Sequence, residues 1–231
     1  MKDSKTLFRP VIVLIGLGTC FFGSLILAAT FFPLAYDWRY TVISSLASPR
    51  DNPHAYWIAC AGMASSGLLL IPFVFFLQNR LGPFAPKLTK SAGRFFLLGA
   101  ISLTLSALIV PGHYRILGLG RTHEHLAQIS SVAFCLSLIL YLGAIFHLPP
   151  SRFFLRVMAV FVVILPVTAL LVSRLSLFFA YEFSSSAVYH AVRGSLWSSL
   201  ALWEWIGAFC IYLFLGLMTL EVPVPVTRSG E

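Results

Sequence analysis

The chain has 231 residues, of which 58% are hydrophobic and 10% charged, against about 25% charged in a soluble domain. A mean hydropathy of +0.89 and apolar runs of about 20 residues, enough to cross a hydrocarbon core of ~30 Å, place it in the membrane class and exclude an ordinary soluble or disordered protein. The net charge of +8 is therefore no nucleic-acid footprint; it lies largely in short inter-helix segments, where it sets topology and meets anionic headgroups.

Hydropathy predicts one all-α domain over 1–231, a bundle of six transmembrane helices at about 9–33, 56–78, 93–111, 125–147, 155–179 and 196–220. The first starts with Lys2, Lys5 and Arg9, as a signal peptide would. Its apolar stretch from Pro10 to Phe32 outruns the roughly 7–15 residues of a signal core and reads as a retained helix. The loop that follows runs Tyr36-Asp-Trp-Arg-Tyr-Thr-Val-Ile-Ser-Ser-Leu-Ala-Ser-Pro-Arg-Asp-Asn-Pro-His54. Its aromatics beside Asp37 and Arg39 suit the headgroup level. Thr41 to Leu46 is apolar enough to lie back against the bundle as a short re-entrant or interfacial piece. Asp51 or Asn52 is placed to cap the second helix, with His54 a hydrogen-bond partner for Asp51.

Small residues from Ala59 to Gly67 in the second helix, and Gly99, Ser102 and Ser106 in the third, mark close-packing faces. Pro72 and Pro166 are expected to kink their helices. The segment from residue 80 to 94 reads as a basic loop. The next connection carries His113 and Arg115, then Arg121-Thr-His-Glu-His125 at the start of the fourth helix. A His-x-His pair can bind a metal from an extended segment. On a helix the two rings diverge by about 200°, and only one faces the bundle; His125 is the better candidate. Interfacial histidines with Glu124 at a helix N-terminus are the plainer alternative. Arg174 lies near one end of the fifth helix, His190 and Arg193 share a face of a short helix beginning near Ser184–Ser186, and Glu204 sits between Trp203 and Trp205. An ionisable group at that depth faces the interior and is paired, with Arg174 the expected partner. The pair could equally be structural, or Arg174 could snorkel. Cys20, Cys60, Cys135 and Cys210 fall in apolar segments without close pairing and behave as small hydrophobes. The tail after Glu221 is Pro-punctuated and extended.

Orientation follows Lys and Arg. With the N-terminus in the cytoplasm, ten basic residues, all four lysines among them, lie inside and six outside. Both termini are then cytoplasmic, in the inner cell membrane, and the loops 34–55, 112–124 and 180–195 share the outer face.

The order of these parts resembles a family. Tyr36-Asp-x-x-Tyr-Thr-Val-Ile-Ser-Ser-Leu-Ala47 and Asn52-Pro-His54 precede the second helix, His125 opens the fourth and Glu204 sits early in the sixth. This is similar to the DUF998 family of six-helix bacterial and archaeal membrane proteins, and more remotely to the Frag1/DRAM/Sfk1 group. Ser45 and Ala47 stand where that pattern has an acidic residue and a glycine. The resemblance implies six helices and no assigned activity; the remoter group implies lipid or GPI-anchor handling.

Three functions are expected from the residues. In the first, the chain binds or handles membrane lipid, with Arg39, Arg115, Arg121, Arg174 or Arg193 engaging a phosphate. In the second, it is a membrane-embedded metal hydrolase comparable to ceramidase-like enzymes. His113, His125 and His190 would then hold zinc, with Asp37, Asp51 or Glu204 as acid/base and Ser44 nearby. In the third, Glu204 and a histidine relay protons in a transporter, although the inner half has few buried ionisable groups.

Overall fold

The computed structural model describes residues 3–109 and 122–221. Regular structure among them is helical throughout. Helix α1 (Asp3–Gly18) passes through a π-helical turn, Thr19–Gly23, into α2 (Ser24–Thr30). Then come α3 (Ile43–Leu46), α4 (Tyr56–Leu81), α5 (Pro86–Leu108), α6 (Thr122–Ile145), α7 (Phe153–Phe183), α8 (Ser186–Arg193) and α9 (Leu200–Glu221). Six spans are long and apolar enough to cross a membrane: Pro10–Thr30, Tyr56–Leu81, Pro86–Leu108, Thr122–Ile145, Pro150–Phe183 and Leu200–Leu220.

One boundary differs usefully from expectation. The basic segment 80–94 is mostly helix, because Pro86 supplies a pre-set φ at the first turn of α5 and Arg80 closes the last turn of α4. Lys87, Lys90 and Arg94 are therefore helical, and long cationic stems suit such helix ends. Both α4 and α7 remain helical through Pro72 and Pro166.

Helices α4, α5 and α6 form a tight slab, and small residues make it possible. A Cβ added at Gly67 would stand 2.2 Å from Thr104 Oγ1 and 2.9 Å from the Ala100 carbonyl, and one at Gly99 would stand 2.9 Å from the Phe134 ring. Gly62 receives the first helix as closely: its Cβ would lie 1.8 Å from Ser24 Oγ and 2.4 Å from the Cys20 carbonyl. Serine hydroxyls tie α6 to α5, Ser130 donating to Gly99 O and Ser137 to Ala92 O, each at 2.9 Å. Such backbone approach replaces the hydrophobic drive that lipid does not supply. Helix α7 is looser, with Leu155, Ala159, Val163, Ser173 and Ala180 its buried residues out of 31.

The loop between α2 and α4 folds inward. Val42 is extended, and one turn of helix follows in which Ile43 and Leu46 are buried against Leu25, Ala28, Ala55, Ala59, Met63 and Ala107. Asn52, fully buried, fastens this turn: its Nδ2 donates to Ala28 O at 3.0 Å and to Leu46 O at 3.3 Å. The expected side-chain cap of α4 is thereby displaced. Ala55 precedes that helix without a side-chain cap, and Asn52 contributes only its main-chain carbonyl, to Ala55 N–H and Tyr56 N–H. Asp51 is exposed and His54 makes no bond to it; the His54 carbonyl accepts from Trp57 Nε1.

Candidate functional site

Between the α4–α6 slab and the looser α7 and α9 lies a cavity of about 320 Å³, lined also by the first helix and α3. It extends from Leu200 to Tyr212 along α9 and from His123 to Leu138 along α6, which at ~1.5 Å per residue makes it about 18–22 Å long. Most of its wall is apolar: Leu17, Phe22, Leu70, Phe134, Val163, Pro166 and Ile211 are typical. Ser44, Ser106, His123 and Glu204 lie toward the end lined by α3 and the starts of α6 and α9, with Ser130 and Ser131 about two turns further along α6.

Glu204 faces this cavity because it shares a stripe with Gly207, Ala208 and Ile211, three, four and seven residues on. Its Oε2 accepts the Ile43 main-chain N–H at 2.6 Å. The adjoining Ser44 lines the same cavity. Beside it, Tyr36 is half-buried and its hydroxyl donates to Thr41 O at 2.8 Å. Its phenol is pushed up to about 12, chiefly by burial, with the charge of Glu204 adding and Trp205 opposing. The Trp205 indole N–H is close enough to favour the phenolate but makes no hydrogen bond of normal geometry.

His123, not His125, enters the cavity. It is 7% exposed, and its Nδ1 lies 2.7 Å from Ser106 O and 3.2 Å from Ile109 O. Two carbonyl neighbours assign the ring proton to Nδ1 and leave Nε2 as the acceptor nitrogen of the neutral ring. The reversal has a sequence signal. His123 is in phase with Ser130 and Ser137, which pack on α5, whereas His125 is in phase with Ile129, Val132 and Leu136, all exposed apolar residues. That repeat puts His125 on the outer face of α6, where it is exposed.

The other expected residues are dispersed. Arg174 does not pair with Glu204: its Nη1 donates to Ser198 O at 3.4 Å, in the turn that α9 follows. Glu204 is already held by α3, so burial of the acid is met by a backbone donor instead. Asp37 and Arg39 pair with each other at 2.9 Å on an exposed surface, and the guanidinium holds the carboxyl below its ordinary range. Neither lines the cavity. Arg193 is exposed on α8 over the Tyr189 ring, and His190 is exposed on the same short helix. Residues His113, Arg115 and Arg121 lie outside the described residues. Among the described residues no three His, Cys, Asp or Glu side chains converge as a metal site, and His113, a member of the expected trio, lies outside them. The loop between α2 and α4 does meet the start of α9: Ser199 Oγ donates to Arg39 O, and Ile43 N–H to Glu204.

No family model, curated protein or solved structure matches this chain. The reading of its function therefore rests on the cavity.

Proposed function

We propose that this chain is a multi-pass membrane protein that binds and handles a lipid, taking one acyl chain along the cavity and its head at the Glu204–Ser44–His123 end. The observation that carries this is the shape and polarity of the cavity together: long, apolar for most of its length, and polar at one end. A volume of about 320 Å³ sits at the lower end of the ~300–1,000 Å³ of small-molecule sites, which suits one chain better than two. The excess of Lys and Arg on the other side of the bundle supports an orientation with both termini in the cytoplasm of a cell and the polar end of the cavity outward.

Native mass spectrometry of the purified protein, with metal analysis on the same sample, tests this reading. The expected result is a co-purified lipid without stoichiometric metal. Gly207 lines the cavity and a Cβ there meets nothing within 4 Å, so Gly207→Phe should fill the space and abolish the adduct while the protein stays folded. A wild-type protein that carries and accepts no lipid in any detergent sinks the proposal.

A further inference from the structure

Resting on the lipid reading, the wall chemistry of the cavity defines the head it can hold. Four of its serines have already committed their protons. Ser66 donates to Gly62 O at 2.6 Å, Ser106 to Leu103 O at 2.8 Å, Ser130 to Gly99 O at 2.9 Å and Ser131 to Ala127 O at 2.9 Å. Each hydroxyl then offers the cavity lone pairs and no hydrogen. His123 holds its Nδ1 proton between Ser106 O and Ile109 O, and the neutral form of the ring offers Nε2 as an acceptor. Glu204 accepts one N–H from Ile43, and its second oxygen has no partner among the described residues. The Trp203 indole N–H is turned away to Trp197 O at 2.7 Å. Ser44 is the one hydroxyl at this end with no partner among the described residues, and Tyr212 and Cys135 lie at the far end. Among the described residues no Lys or Arg lines the cavity.

We propose that the site selects a lipid whose head carries hydroxyl hydrogen-bond donors and no phosphate, the chemistry shared by a monoacylglycerol and a sphingoid long-chain base. A wall of acceptors satisfies donors on the ligand. It leaves a phosphate, which brings acceptors and negative charge, facing lone pairs and Glu204, with no Lys or Arg among the described lining residues to offset them. A mismatch of that kind leaves buried polar groups unpaired on both partners, and sites built around hydrogen bonds reject it strongly.

The test uses the full chain in detergent and three probes of equal acyl length: a monoacylglycerol, a sphingoid base and a lysophosphatidate. Binding is read by native mass spectrometry and by displacement of a fluorescent acyl probe. The monoacylglycerol should bind at least about tenfold more tightly than the lysophosphatidate, about 1.4 kcal/mol. The sphingoid base separates the two sources of the hydroxyl: tighter binding than the monoacylglycerol assigns the added gain to its amine on Glu204, and equal binding assigns it to hydroxyls alone. Glu204→Gln keeps an acceptor for Ile43 N–H while presenting a donor to the cavity, and should shrink the preference to within about threefold, less than 1 kcal/mol. Lysophosphatidate binding as tight as monoacylglycerol binding overturns the head-group proposal and leaves the lipid reading standing. Failure of all three probes overturns both. The wild-type comparison decides the matter even where the variant does not fold.

Discussion

The main-chain N–H of Ile43 donates to Oε2 of Glu204 at 2.6 Å, across 161 residues of sequence. That bond fixes the inward-folded turn α3 to the last helix, and it places Ser44 and Glu204 at the same end of one cavity. A buried carboxylate that accepts a backbone N–H gains a charge-assisted bond. The partner is a peptide group, so no arginine is needed there.

Replacing Glu204 therefore separates packing from chemistry. Glu204→Ala leaves the Ile43 N–H without an acceptor and should cost about 1–3 kcal/mol, seen as a melting temperature lower by several degrees in a detergent melt. Glu204→Gln retains the acceptor and should lose less than about 1 kcal/mol. Equal losses in the two variants would show that the bond to Ile43 contributes nothing.

Asn52 is the second fastener of α3. Asn52→Leu removes the donor shared by Ala28 O and Leu46 O and should cost about 1–3 kcal/mol. Asn52→Asp should be worse, since a carboxylate would face two carbonyl oxygens. Hydrogen exchange of the α3 amides, measured beside the melt, should rise in both variants, and unchanged exchange would contradict the fastening role.

Two glycines predict opposite responses to one added methyl. Gly62→Ala drives a Cβ into Ser24 and the Cys20 carbonyl and should destabilise by about 1–3 kcal/mol through overpacking. Gly207→Ala, with open space around it, should be neutral or stabilise by about 0.4–1 kcal/mol by reducing the freedom of the unfolded chain. Paired thermal melts check the order, and Gly62→Ala as stable as wild type would refute the close approach of the first helix to α4.

Tyr36 gives a pH signature. Burial pushes its phenol up to about 12 in the folded protein, against about 10 in an unfolded chain. Between those values the unfolded chain has lost the proton and the folded one has not, so stability falls as pH rises from about 10 to about 12. Tyr36→Phe should remove that part of the alkaline decline. Ultraviolet titration should also lose its latest-ionising tyrosinate outside the spans; a variant with an unaltered titration curve would assign the late step elsewhere.

The histidines of α6 offer a test of helical phase. His123→Ala should weaken lipid binding about tenfold or more, by roughly 1.4 kcal/mol, because it removes a cavity acceptor and frees two carbonyls. His125→Ala, on the exposed face, should leave binding within about twofold. Binding assays on the two proteins in parallel decide it, and the reverse order would restore His125 as the inward residue.

Length, hydropathy and small-residue stripes by themselves determined that this chain has six helices able to cross a membrane, and which faces pack closely. Those features are local: about 20 apolar residues are enough to fill a span, and Gly62, Gly67 and Gly99 permit backbone contact whatever the partner. That Thr41 to Leu46 lies back against the bundle was also visible, as an apolar stretch inside a polar loop; its helical turn, Ile43–Leu46, was not. Which titratable groups meet was not. Glu204 was legible as an inward acid, yet its partner is a peptide N–H, which no side-chain alphabet records. The choice of His123 over His125 turned on the rotation of α6 against α5, which Ser130 and Ser137 set by bonding to carbonyls 31 and 45 residues away. The separate placing of Arg39, Arg174 and Arg193, and the acceptor character of the cavity wall, depend on which partner each donor found. Only the packed bundle decides that, because hydrogen bonding is directional and a one-residue shift in phase turns a side chain by about 100°.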